Sequence, residues 1–269
     1  MKKAAQKKIL PQITLPWRRK IVRRHRPAQA KGETGYRDYR SCLRWEFGFT
    51  CAFCLCHETD LMLATTEGWA VMQVEHFEPK TRNVARINDY QNCFYICRLC
   101  NTARGNASNR DAQGRKMLNP CDAVWRKHFE VSDGEIRPCD EADGDAALTC
   151  ERYDFGDRRK VKLRQVRQKV ISERLGFLRE ALEVEENLFD SIVAGGGGVK
   201  SLKHVDMIEA LGKARAIAYE DLLRYVAVPV DPSPSCPCDH QHARTLPAVL
   251  DEQAIDLSEF RKSPGRHLN

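Results

Sequence analysis

Phe49-Thr50-Cys51-Ala52-Phe53-Cys54 and Phe94-Tyr95-Ile96-Cys97-Arg98-Leu99-Cys100-Asn101 carry two matched Cys-x-x-Cys pairs, and Val74-Glu75-His76 lies between them. A Cys-x-x-Cys turn points two sulfurs at one ion. Two such turns supply four thiolates, the closed tetrahedral shell of a structural zinc. Soft thiolates select zinc over magnesium. The spacing therefore assigns Cys51, Cys54, Cys97 and Cys100 to a Zn²⁺ that staples two stretches across a 42-residue spacer. Redox use of the same cysteines is the competing reading. Cys54-x-Cys56 offers an alternative pair, and Cys51 is preferred because the two knuckles then match.

The flanks predict the elements around this staple. Phe49 to Cys54 reads as a strand entering a tight turn, and Ala70 to His76 as a β-prone strand. Phe94 to Cys97 leads into the second knuckle, and Asn101 to Arg104 opens a helix. The order is β, β, α. Upstream, Glu33 to Gly48 reads as one helix, because Tyr36, Tyr39, Leu43 and Phe47 recur at helical spacing and Gly48 is a natural stop. Downstream, Asn119-Pro120, Asp133-Gly134 and Arg137-Pro138 mark turns between short extended runs. Arg159 to Leu188 and Ser201 to Val226 are helix candidates that pair as a hairpin across Gly195 to Gly198. That glycine run lacks the Lys-Ser/Thr of a phosphate loop and follows no strand, so it reads as a hinge. Beyond Pro229 periodicity is lost and a loose tail is expected.

The 269 residues suffice for one large or two small domains. The net charge of +7 is unevenly placed, with ten Lys or Arg and no acid from Met1 to Arg26. Such a run is either a merely solvated arm or a phosphate-binding one, since clustered cations release counterions from a polyanion. A mitochondrial presequence is disfavoured by Pro11, Pro16 and the lack of serine. No run of ~18 apolar residues spans a membrane, and no signal-peptide core follows the first lysines. Twelve cysteines in such a chain point to a reducing compartment, expected to be the cytoplasm.

Glu75-His76 alone carries little, since an isolated histidine is more often a satisfied or surface one. In a strand the two side chains face opposite ways. They can serve one site if the strand ends there, and Pro79 suggests that it does. Glu75 offers hard oxygen to Mg²⁺, and a neutral His76 can accept a proton from water.

Taken in order, Val74-Glu75-His76-Phe77-x-Pro79-Lys80, Asn92 and Cys97-x-x-Cys100-Asn101-x-x-Arg104-Gly105-Asn106 resemble the HNH (His-Me finger) endonuclease family, four-cysteine zinc subtype. The resemblance covers roughly residues 34–130. It implies an α+β fold with a small zinc-stapled ββα-metal core and a mainly α-helical C-terminal extension. The divisions are a basic arm at 1–32, the nuclease domain at 33–130, a helical extension at 131–228 and a loose tail at 229–269. His76 matches the general base, Glu75 and Asn101 the ligands of a catalytic Mg²⁺ or Mn²⁺, and Asn92 the residue that ties the loop. A glutamate at 75, where the family usually has aspartate, and an asparagine at 101 leave the preferred metal open. Lys80, Arg82, Arg104 and Arg110 are candidate phosphate contacts.

Tyr36-Arg37-Asp38-Tyr39, Leu118-Asn119-Pro120 and Asp133-Gly134-Glu135-Ile136 extend the resemblance to bacterial anti-phage defence HNH proteins of the Septu-type and retron-associated systems. In those systems the nuclease works beside an ATPase, which the two C-terminal helices would dock; the plainer reading is that they cap a small core. The expected activity is DNA hydrolysis. The alternatives are a catalytically idle zinc module that binds nucleic acid and an RNase on the same fold. Finally, Cys236-Pro237-Cys238-Asp239-His240-Gln241-His242 gathers four potential ligands, but Pro237 and the tight spacing strain a mononuclear site.

Overall fold

The computed structural model describes residues 21–63, 72–194 and 199–226, together with Cys238. The basic run up to residue 20, the Gly195–Gly198 hinge and the tail other than Cys238 lie outside the described residues. Mixed α and β structure with two small antiparallel sheets surrounds a cluster of buried cysteines.

The chain enters as an extended segment pinned to the core. Ile21 is buried and its N–H donates to Pro120 O at 3.0 Å. Arg23, expected among the solvated basic residues, is buried. Its Nε donates to Glu46 Oε2 at 3.2 Å, and its guanidinium lies 4.5 Å from the Tyr90 ring centroid. The solvated-arm expectation therefore does not hold for Ile21, Arg23 and His25, which are buried, whereas Val22 and Arg24 between them are exposed.

The single helix expected over 33–48 is divided into a 3-10 turn at Gly35–Tyr39 and helix α1 at Arg40–Glu46. The tighter winding has a cause. Side chains three apart eclipse in a 3-10 turn, so Tyr36 and Tyr39 are buried together. Tyr39 Oη accepts from Ala30 N–H and donates to Asn88 O. Gly48 and Phe49 both have positive φ and turn the chain sharply out of α1.

That turn overrides the strand expected at Phe49 to Cys54. A lone bridge joins Thr50 to His57, and Cys51 to Cys56 form a knuckle closed by Cys51 N–H to Cys56 O at 2.9 Å. A knuckle that folds two sulfurs to one point cannot be extended. A short helix α2 (Glu58–Leu63) follows.

Strand β1 (Met72–His76) pairs antiparallel with β2 (Cys93–Cys97), with Gln73 opposite Ile96, Glu75 opposite Phe94 and His76 opposite Cys93. Helix α3 (Arg98–Arg104) starts inside the second knuckle, three residues before the expected Asn101. Cys97 is its N-cap, and its sulfur accepts from Cys100 N–H at 3.4 Å. A β, β, α order is present as expected, but its second strand is Cys93–Cys97, and the strand expected at Phe49 to Cys54 is not part of it.

The region 131–228 is less purely helical than expected. After a single helical turn α4 (Trp125–His128), β3 (Phe129–Ser132) and β4 (Glu135–Pro138) form a hairpin. Its loop is Asp133-Gly134, both at positive φ, the arrangement a two-residue hairpin turn demands. Helix α5 (Gly144–Arg152) is capped by Asp143. Then come α6 (Arg158–Ala194) and α7 (Val199–Val226), which pack together as the anticipated helical pair. A buried Arg215–Glu185 ion pair at 3.0 Å links them. Phe53, Phe77, Phe94, Trp125, Phe129, Tyr153 and Phe155 form a chain of ring contacts through the core, with Phe53 stacked on Tyr153 at 3.9 Å. Among the described residues no helix is long and apolar enough to cross a membrane.

The hairpin tip seats α6. Gly134 O accepts from Arg164 Nε, and Asp133 O accepts from Gln165 Nε2 at 3.0 Å. A Cβ on Gly134 would lie 2.7 Å from Val161 O and 2.8 Å from Gln165 Cγ. Gly134→Ala is therefore expected to destabilise the protein by about 1–3 kcal/mol. A denaturation midpoint equal to wild type would show that the hairpin tip does not seat α6.

Candidate metal centre and strand-end site

Cys51, Cys54, Cys97 and Cys100 are all buried, and their sulfurs lie within 4.8 Å of one another. The knuckle turn supplies the first two, the end of β2 the third and the first turn of α3 the fourth. Cys54 Sγ and Cys97 Sγ are 3.6 Å apart. A tetrahedron of ~2.3 Å Zn–S bonds has sulfur–sulfur edges of about 3.8 Å, whereas a disulfide is ~2.05 Å. The cluster therefore fits a metal such as zinc. Cys56 is buried close by but is not one of the four.

Thiols this close cannot all ionise unaided. Burial and the hydrogen bonds from Cys51, Cys54 and Cys97 push Cys100 well above the usual thiol range. Four thiolates and one Zn²⁺ would carry a net charge of about −2, which a buried site must balance. The balancing cation comes from α6. Lys160 is fully buried, and its Nζ donates to Tyr153 O and to Asp154 O, the latter at 2.9 Å. Burial pulls its pKa down, but Cys100, Cys54, Cys97 and Cys51 outweigh that and raise it. One turn on, Arg164 donates to Cys54 O at 3.1 Å and to Phe155 O at 2.7 Å. No sequence motif marks Lys160 or Arg164; in the chain they look like ordinary charges of a polar helix.

The second group of candidate residues lies where β1 ends. β1 stops at His76, Phe77 N–H donates to Asn92 O at 2.8 Å, and the chain bends toward Pro79. His76 is buried. Its Nε2 lies 2.8 Å from Ile87 O, and the Tyr36 ring meets it edge-on with centroids 4.5 Å apart. A carbonyl can only accept, so Nε2 carries a proton, and in the neutral ring Nδ1 is the atom with the lone pair.

Asn92 is buried and ties this loop from both ends. Its Oδ1 accepts from Glu78 N–H at 2.8 Å, and its Nδ2 donates to Glu78 O at 3.1 Å and Arg86 O at 3.3 Å. The carbonyl that holds the imidazole, Ile87 O, follows Arg86 directly. The amide thereby shapes the loop that orients the histidine.

Glu75 and Gln73 share one face of β1 by strand alternation. Asn101, on α3, donates from Nδ2 to Gln73 Oε1, which leaves Oδ1 as an acceptor. Among the described residues, His76, Glu75 and Asn101 make no hydrogen bond to one another. Glu75 is half-buried and makes no hydrogen bond or ion pair among them.

Of the four expected phosphate contacts, Lys80, Arg82 and Arg110 are exposed. Lys80 Nζ stands 5.8 Å from the Tyr36 ring centroid. Arg104 is placed differently. It is buried and donates to His76 O, Phe77 O and Asn109 Oδ1, the last at 2.7 Å. It is a strut that binds α3 to the end of β1, so both terminal nitrogens of its guanidinium are already committed to the protein's own oxygens. Reading the sequence missed this role of Arg104, and it missed the contacts that Tyr36 and Gln73 make with the candidate residues. Gln73 and Arg104 are close in the chain to Glu75 and Asn101, whereas Tyr36 is brought to His76 only by the fold.

Searches against models of protein families, curated proteins and solved structures returned no match.

Lys160→Met keeps the side-chain length and removes the cation. Zinc affinity of the four-cysteine cluster is expected to fall by about 10- to 100-fold, measured as zinc released to a chelator at graded concentrations. Unchanged affinity would make Lys160 solely a strut for the Tyr153–Asp154 turn.

Proposed function

We propose that the protein is a metal-dependent HNH-type endonuclease that hydrolyses DNA phosphodiester bonds, built on a zinc-stapled ββα core. The reading is carried by one observation: His76 ends a strand with Nε2 held by a backbone carbonyl, in a loop that a buried asparagine shapes. That arrangement leaves Nδ1 as the basic atom, suited to take a proton from attacking water. An idle binding module has no use for a fixed tautomer.

The oxygen set supports a hard divalent cation. Glu75 is a half-buried carboxylate with no ion pair among the described residues, and Asn101 has an amide oxygen to offer. Both suit Mg²⁺ or Mn²⁺ better than a soft metal. When bound there, the ion would supply charge stabilisation at the scissile phosphate and the leaving oxygen. The chain itself does the rest. Ile87 O and Tyr36 orient the imidazole, Arg104 holds α3 against the strand end, and Lys80, Arg82 and Arg110 offer exposed positive charge to the backbone of a nucleic acid. DNA rather than RNA rests on the family resemblance alone.

The same proposal includes a protein partner, an ATPase, on the α6–α7 hairpin, and a role in bacterial anti-phage defence. Phe177, Val193, Met207 and Ile217 are large apolar side chains exposed on these helices. A partner that covered these side chains would remove their apolar surface from water.

With plasmid DNA and Mg²⁺ or Mn²⁺, His76→Ala is expected to lose about 10²- to 10⁴-fold in cleavage rate while keeping its zinc and its circular dichroism spectrum. Near-wild-type cutting would remove His76 as the base. Asn92→Ala is expected to lower the turnover rate with DNA affinity unchanged. A variant that loses DNA affinity and keeps turnover would place Asn92 in binding instead.

A further inference from the structure

His25, Cys42 and Cys238 form a second cluster, away from the four-cysteine centre. All three are buried, and their ligand atoms lie within 4.8 Å of one another. We propose that this cluster is a second, structural zinc site, which fastens the chain beyond α7 to the front of the molecule.

The site is assembled from three separate parts of the chain. Cys42 sits in the middle of α1. His25 belongs to the extended entry segment. Cys238 is 196 positions from Cys42. Three soft donors brought together from such distances are not a by-product of local sequence. Imidazole and thiolate are the donor types of structural zinc.

The separation of the sulfurs agrees. Cys42 Sγ and Cys238 Sγ are 3.3 Å apart, close to the 3.6 Å between Cys54 and Cys97 in the first cluster. That is near the edge of a zinc–thiolate tetrahedron and far from a ~2.05 Å disulfide.

The histidine is also positioned. Residues four apart lie on one face of a helix, so Glu46 stands on the same face of α1 as Cys42. Its Oε1 accepts from Arg24 N–H and from His25 N–H, the latter at 3.1 Å, while Oε2 accepts from Arg23 Nε and Tyr90 Oη. The carboxylate thus fixes the backbone of residue 25 against the helix face that presents Cys42. Support of this kind, beyond the ligands themselves, is what holds metal donors in place.

The sequence alone pointed to Cys236, Cys238, His240 and His242 as a strained cluster of their own. Cys236, His240 and His242 lie outside the described residues, and Cys238 lies with donors from residues 25 and 42. A metal there would contribute binding free energy directly to folding and would close a very long loop of chain. This inference is independent of the nuclease reading and stands or falls without it.

The test is metal analysis of the full-length protein. Wild type is expected to hold about two zinc ions per chain. Cys238→Ser and His25→Ala are each expected to lose about one, and Cys97→Ser to lose the other. With cobalt in place of zinc, the thiolate-to-metal absorption of Cys238→Ser in combination with Cys42→Ser should drop by about a third, since two of six sulfurs are removed. Cys238 is not one of the four-cysteine ligands, so its conservative variant keeps the test readable even where His25→Ala fails to fold. A single zinc in wild type would overturn the proposal. So would Cys238→Ser with unchanged zinc content, or an intact mass showing a Cys42–Cys238 disulfide.

Discussion

Four buried sulfurs in one place are the constraint on which the rest of the molecule depends. The sheet beside them has two strands of five residues each, and a lone two-stranded hairpin is at best marginally stable in water. Tying the Cys51–Cys54 knuckle to the junction of β2 and α3 fixes where β2 ends. That end lies opposite Met72, and the antiparallel register carries the pairing along both strands to His76 opposite Cys93. The last turn of α3 is held to the same point by Arg104. The position of the imidazole is therefore inherited from a cluster of thiolates that it does not touch.

Buried charges do the remaining fastening. Glu46, Lys160, Arg164 and Arg104 are all buried, and each joins a distant segment to the centre. Glu46 takes the entry segment, Lys160 and Arg164 take the start of α6, and Arg104 takes the strand end. Such groups are costly to desolvate, and hydrogen bonds offset most of that cost. Most of these bonds go to backbone carbonyls or N–H groups, which have fixed positions. The result is specific placement of loops that hydrophobic contact alone would hold loosely.

The same logic separates the two ends of α6. Its first turns are sealed to the core by Lys160, Arg164 and the β3–β4 hairpin tip. Farther along, α6 and α7 contact chiefly each other, and apolar side chains such as Phe177 and Ile217 remain in water. One end of the long hairpin belongs to the folded centre, and the other presents surface.

How much of this could be read from the chain depends on the range of each interaction. The paired Cys-x-x-Cys spacing, the Asp133-Gly134 turn and the periodicity of α6 and α7 are local, and each was legible because the residues that cause the structure are neighbours. Glu75, His76, Asn92 and Asn101 could be named from order and spacing. What the tertiary structure alone decided is what those residues touch. Tyr36 folds its 3-10 turn over the imidazole, Ile87 O selects the tautomer, and Arg104 spends its guanidinium on carbonyls rather than on solvent. The expected strand at Phe49 to Cys54 gave way to a knuckle, and Arg23 left the basic run to pair with Glu46. Cys238 found its partners at residues 25 and 42. These outcomes are set by burial and by hydrogen bonds across tens to hundreds of positions, and no window of sequence contains both members of such a pair.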